Sequence, residues 1–413
     1  MKRLSLVLAI CLLWVAVNAQ DSLAMKHLEP FTYTFDIKDG KLKGKGKTFL
    51  TQEMASAQFT MLGEYHGSSR ISEFTNTIIP ILDSLNYKTM VLEVGPITGE
   101  ILNSFESNIE AKLKAIHNKY LTRAADGYVN TAIPFFDNKE DAQFLQTAKD
   151  RSWHIFGIDQ EFFDSYIMIA DLMFNNLPNT LQKKYQSLFE DSKSELTQFY
   201  KDDEEDKRDF VVAISNSEKI GKFLDAMSLE AKNSEVVEAL KRTTAIYLLY
   251  SQRQWYENNF TRIKYMKSQL KKGLDNLDFN LGEDKLLIKM GGYHMSKGFS
   301  PLGLYEVGNT LNEIAEFNGN TALNIGFMTR YYLENNALKD NSDSENKYYK
   351  NHKALLEMGK ENQWVVIDLR PLIKGFHYYP KQFNLNKPLV NLIERYDLLV
   401  IPKVEVEGTP NYD

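Results

Sequence analysis

Two short stretches of this chain share one four-residue form, Gly-x-Tyr-His: Gly63-Glu64-Tyr65-His66 and Gly291-Gly292-Tyr293-His294. Each follows an apolar run, and each opens on a Gly that lets the backbone turn sharply and approach a ligand. Glu93 ends a second apolar run and Asp159 a third. Two imidazoles and three carboxylates from several strand ends suit two chemistries. One is a general base working beside an electrostatic stabiliser. The other is a metal site with an open position, for which His66 and His294 are the candidate ligands. A carboxylate such as Glu93 at the end of a buried strand must be paired or functional, because burying it alone is costly. A His just past a strand is often no more than a turn residue, so it is the repetition of the form that singles out His66 and His294. His154 begins its strand, at the opposite edge, and reads as structural. His27, His117, His352 and His377 fall in a lead-in, a helix end or loops.

The elements that would position these groups alternate. Residues 57–96 read as strand, helix, strand: an apolar run through Phe59, Met61 and Leu62, then Ile71, Phe74, Ile78 and Leu82 at helical spacing, then Met90 to Leu92. Ser68 and Ser69 read as caps of that helix. Ile97 to His117 reads as one helix, and Tyr120 to Asp137 as an aromatic loop whose Tyr128, Phe135 and Phe136 could line a pocket. Further strands are expected at 153–159, 286–290, 322–328, 364–368 and 398–401, with a helix starting at Ser300-Pro301. Asp39-Gly40 is a hairpin signal. The expected fold is α/β: a mostly parallel central sheet flanked by helices, with a large helical insertion forming a cap. The core would be 57–161 and 273–413, the insertion 162–272, and residues 20–56 an N-terminal lead-in. In such sheets ligands bind beyond the carboxyl ends of the strands, where Glu64, His66, Glu93, Asp159 and His294 fall.

Composition narrows the classes. Lys2 and Arg3 precede an apolar block, Leu4 to Val17, closed by Val17-Asn18-Ala19, which reads as a signal peptide at 1–19. The expected location is therefore exported, periplasmic or secreted. The lone cysteine, Cys11, follows Ile10 rather than a small residue, which argues against a lipid anchor. Without Lys2 and Arg3, 47 basic residues stand against 55 acidic ones, and no basic stripe offers a surface for nucleic acid. No later run is long and apolar enough for a transmembrane segment in the mature chain. A zincin helix, a Gly-x-Ser-x-Gly elbow and a Gly-rich phosphate loop are absent from the sequence.

In order along the chain, these motifs resemble those of the erythromycin-esterase-like proteins and their wider relatives, the haem-binding ChaN-like lipoproteins and the TraB/Tiki-type proteins. LGEYHGSSRISEF with LNYKTMVLEVGP resembles the opening strand, helix and strand. HIFGIDQEF resembles the Gly-x-Asp strand, and RIKYMKSQL (Arg262, Met266) the Arg-and-Met helix. KMGGYHMSKG resembles the second His motif, and WVVIDLR and YDLLVIPKV the closing strands. The resemblance implies a hydrolase-like core in which His66 acts as base on water, Glu93 supports it and His294 lies nearby. In the Tiki branch similar elements serve metal-dependent peptide cleavage. Two departures stand out: one residue fewer between Glu64 and His66, and Arg70 where the esterase branch carries an acid.

The expectation is an exported hydrolase cleaving an ester, lactone or amide of a small-molecule or peptide substrate. Its catalytic residues would be His66, Glu93, Glu64 and His294. Arg262, Arg70, Asp159 and Tyr293 would bind substrate, and the cofactor, if one is used, would be a divalent metal. The alternative is a ChaN-like protein that binds haem or another small ligand without catalysis.

Overall fold

The structure is a computed structural model that describes residues 26–123, 129–383 and 385–412. The expected signal peptide with Cys11, and Tyr128 of the aromatic loop, lie outside the described residues. The main strands are β1 (Thr32–Lys38), β2 (Lys41–Lys43), β3 (Phe59–Glu64), β4 (Tyr87–Leu92), β5 (His154–Gly157), β6 (Lys285–Gly291), β7 (Ala322–Phe327), β8 (Trp364–Asp368) and β9 (Leu398–Ile401). The fold is α/β with a mostly parallel central sheet and flanking helices, as expected. The chain divides into two compact units. The first holds residues 1–87, 281–300 and 308–408, and the second 88–280, 301–307 and 409–413.

In the first unit the strand order is β2-β1-β8-β9-β7-β3-β6. The pairs β9–β7, β7–β3 and β3–β6 are parallel, and the β1 side is antiparallel. Asp39 and Gly40 both take positive φ, 52° and 64°, and close the β1–β2 hairpin. The β3 strand is buried at every position, so it reads as a continuous apolar run rather than an alternating one. The helix Ser69–Ser84 follows, with Ser68 Oγ accepting from Ile71 N at 3.1 Å. It turns Ile71, Phe74, Ile78 and Leu82 inward at the 3–4 spacing of an amphipathic helix. Val365, Ile367, Leu399 and Ile401 pack with Leu355, Leu372, Leu389 and Ile393 into a second apolar cluster.

The second unit carries β4 and β5 as a parallel pair, with Leu92 opposite Gly157. Its expected insertion is helical throughout, including Asn179–Glu204, Ala231–Ser251 and Trp255–Asn276. Among the described residues no helix is long and apolar enough to cross a membrane.

Two expected helices differ from the structure. The segment 97–117 is two helices, Pro96–Asn103 and Ile109–Tyr120. Asn108 between them is left-handed, which interrupts an otherwise continuous apolar period. The helix expected from Ser300 begins instead at Val307. Gly303 at φ +78° lies in the intervening turn, a conformation no helix accepts.

Candidate functional site

The parallel register decides what meets at the end of β3. Leu62 pairs with Lys289 and Glu64 with Gly291. Paired residues of a parallel ladder face the same side, and so do residues two apart. Lys289 and Glu64 therefore share a face on a diagonal. The Lys289 ammonium bonds Glu64 Oε2, and both side chains are buried. Glu64 Oε1 lies 3.3 Å from His66 Nδ1. The His66 ring is 39% exposed, whereas the carboxylate behind it is 6% exposed. Burial pushes the Glu64 carboxyl up, but the Lys289 ammonium and the His66 ring outweigh that and hold it below the usual range. A carboxylate on Nδ1 selects the imidazole tautomer whose Nε2 is the basic nitrogen.

The two Gly-x-Tyr-His turns are packed together. Gly292 N donates to Glu64 O at 2.8 Å. A Cβ on Gly63 would stand 3.1 Å from Gly292 Cα and 3.0 Å from the Tyr396 ring, and one on Gly292 would stand 2.9 Å from the Tyr396 hydroxyl. Tyr396 donates its hydroxyl to Gly292 O at 2.6 Å. His294 is buried and Tyr293, its neighbour, is exposed. Gly308 N donates to His294 O at 2.8 Å and closes the second turn. Arg70 is engaged locally. Its Nε donates to Val404 O at 2.9 Å and its Nη1 to Glu73 at 2.8 Å.

The second unit brings Glu93, Asp159 and Arg262 together. Arg262 grips Asp159 through Nε, at 2.9 Å, and Nη2, and Nη2 also donates to Glu93 Oε1 at 3.0 Å. Burial disfavours the guanidinium charge, but Asp159 and Glu93 more than compensate and raise its pKa. The planar fork matches a carboxylate edge, which is why this position suits Arg.

Lys289, Glu161 and Asp164 lie outside the candidate residues picked from the sequence. Lys289 sits inside the apolar run LLIKM, and a lysine there signals a buried partner. Glu161 accepts from Ile97 N at 2.7 Å and from the Thr98 hydroxyl at 2.7 Å, capping the helix Pro96–Asn103, and burial pushes its carboxyl up to about 7. Asp164 is buried with one carboxylate oxygen lacking a partner. Burial and then Glu204, Asp203 and Asp137 push it up to about 7.

Among the described residues no group of three or more His, Cys, Asp or Glu side chains is arranged to hold a metal ion. The carboxylate beside His66 is already neutralised by Lys289. The Tyr65 hydroxyl is bonded to Glu405 at 2.6 Å and to Thr329, and burial, then Glu405, raises its pKa.

No family model and no curated protein matches this sequence. Solved structures do. A Bacillus cereus protein from structural genomics aligns at TM-score 0.54 and 15% identity, covering 94% of this chain and 99% of that one. A succinoglycan biosynthesis protein aligns at TM-score 0.55 and 14% identity over 94% of this chain and 97% of that one. The erythromycin esterase EreC, a mutant in its open conformation, aligns at TM-score 0.55 and 12% identity over 91% of this chain and 98% of that one. At these identities the likeness speaks to the fold, and the fold of this chain is erythromycin-esterase-like.

Proposed function

We propose that this protein is an exported hydrolase that cleaves an ester, lactone or amide of a small-molecule or peptide substrate. The observation that carries the reading is the arrangement Lys289–Glu64–His66, a buried ion pair bearing on a half-exposed imidazole. His66 Nε2 takes a proton from water as the water oxygen bonds to the acyl carbon. The imidazolium so formed is stabilised by Glu64, which Lys289 keeps ionised. The tetrahedral intermediate then expels the alcohol or amine, which receives that proton from His66. His294 stabilises developing charge, and exposed Tyr293 contacts substrate. In the second unit, Glu93 and Asp159 hold Arg262 as a fixed cation suited to a carboxylate or an oxyanion.

The test is a panel of esters, lactones and amides assayed with the wild type and with His66→Ala and Glu64→Gln. Loss of about 10²–10⁴-fold in turnover with folding intact is expected for His66→Ala. Wild-type turnover by that variant would sink the assignment. Titration with haemin tests the binding alternative on the same protein.

A further inference from the structure

We infer that Glu405 is a positioning residue for His66, its carboxylate tying down both flanks of the turn that carries the imidazole. Both carboxylate oxygens are used. Oε2 accepts from the Tyr65 hydroxyl at 2.6 Å and the Ser68 hydroxyl at 2.7 Å. Oε1 accepts from the Ser69 hydroxyl at 3.2 Å and from Arg70 N at 3.1 Å. Of the six residues from 65 to 70, only His66 and Gly67 make no bond to this carboxylate among those described, and Gly67 takes φ +81°. The histidine is thus the crest of a turn whose two feet are clamped by one anion. Hydrogen bonds to a carboxylate are roughly twice as strong as neutral ones.

The clamp is itself rigid. Glu405 N donates to Tyr331 O at 2.8 Å, and Leu333 N donates to Glu405 O at 3.0 Å, which pins its backbone to the strand Tyr331–Glu334. On either side of it, Val404 O accepts from Arg70 Nε at 2.9 Å, and Val406 O lies 2.8 Å from the Ser69 hydroxyl, whose single proton it shares with Glu405 Oε1. A helix cap alone does not account for this arrangement. Ser68 already caps the helix through Ile71 N, and Tyr65 precedes the histidine, outside the helix. Tyr65 remains a phenol and so serves as donor.

The inference rests on the proposed hydrolysis only for its consequence in turnover. Its structural part is tested without substrate, on the full chain. In Glu405→Ala, amide hydrogen exchange of residues 65–71 should accelerate about tenfold or more while β3 and β6 amides keep their protection. The His66 ring resonance should move, and that of His352, whose ring nitrogens face Tyr348 O and Pro388 O elsewhere in the same unit, should not. Glu405→Gln, which keeps a carbonyl acceptor, should show intermediate protection. If Glu405→Ala does not fold, Tyr65→Phe decides: a shifted His66 resonance supports the clamp and an unmoved one overturns it. Unchanged exchange at 65–71 in a folded Glu405→Ala likewise overturns it. If the clamp holds, turnover should fall mainly in kcat rather than KM. If His66→Ala keeps wild-type turnover while the exchange result holds, the hydrolytic reading fails and the clamp stands.

Discussion

Lys289 reaches the carboxylate of Glu64 across the β3–β6 ladder, and the pair is buried. The bond places an internal cation behind the His66–Glu64 contact. It also makes each partner costly to remove alone, since an uncompensated buried charge is left behind. Lys289→Met should therefore lower the unfolding free energy by about 3–5 kcal/mol. The double variant with Glu64→Gln should recover part of that loss. Denaturant unfolding checks both, and a single variant within about 1 kcal/mol of wild type would contradict the pairing.

Arg262 poses the same problem with two carboxylates. Arg262→Ala should cost about 3–5 kcal/mol because Glu93 and Asp159 lose their counterion. Arg262→Lys keeps the charge but loses the fork, and should sit between Ala and wild type. Thermal unfolding of the three proteins gives the order, and a Lys variant no better than Ala would show that charge is not the main term.

Gly95 stands against Glu161. A Cβ at Gly95 would lie 2.1 Å from Glu161 Cδ. Gly95→Ala should expel that carboxylate from the helix cap and cost about 2 kcal/mol or more. In a Glu161→Ala background the same change should cost little, so the double-mutant cycle is expected to be strongly non-additive. Additive losses would mean that the two residues do not compete for one space.

Asp164 gives a pH test. Its folded pKa, near 7, lies above the ordinary 3.8, so the folded state holds the proton more tightly than the unfolded one. Its contribution is therefore most favourable below about pH 4 and is lost as pH rises towards 7. Asp164→Asn mimics the protonated form. It should raise the melting temperature at pH 8 and do little at pH 4. Equal effects at both pH values would rule out the carboxylate as the cause. Glu64 runs the other way: its lowered pKa adds stability above the ordinary value of 4.5 that is lost as pH falls through the folded pKa.

What could be read in advance followed from local pattern. The strands ending on Glu64 and Glu93, the Ser68 cap and the Asp39-Gly40 turn each depend on a few adjacent residues. The helix breaks at Asn108 and Gly303 were missed, because an apolar period continues past Asn108 and Ser300-Pro301 looks like a helix start. Lys289, Glu161 and Glu405 were missed for another reason. Their partners lie 225, 64 and 340 positions away, so register and tertiary packing pair them. Arg70 occupies a position where the sequence resemblance leads one to expect an acid. The carboxylate at that turn is Glu405, bonded to Arg70 N from the far end of the chain.

The bond from Gly292 N to Glu64 O couples the two histidine turns mechanically. Gly63 and Gly292 are close, and Tyr396 packs against both. The intervals Glu64–His66 and Gly292–His294 are equal in length and start from the two residues joined by that bond. Inserting a residue between Glu64 and His66 is therefore expected to call for a compensating change at residues 291–294.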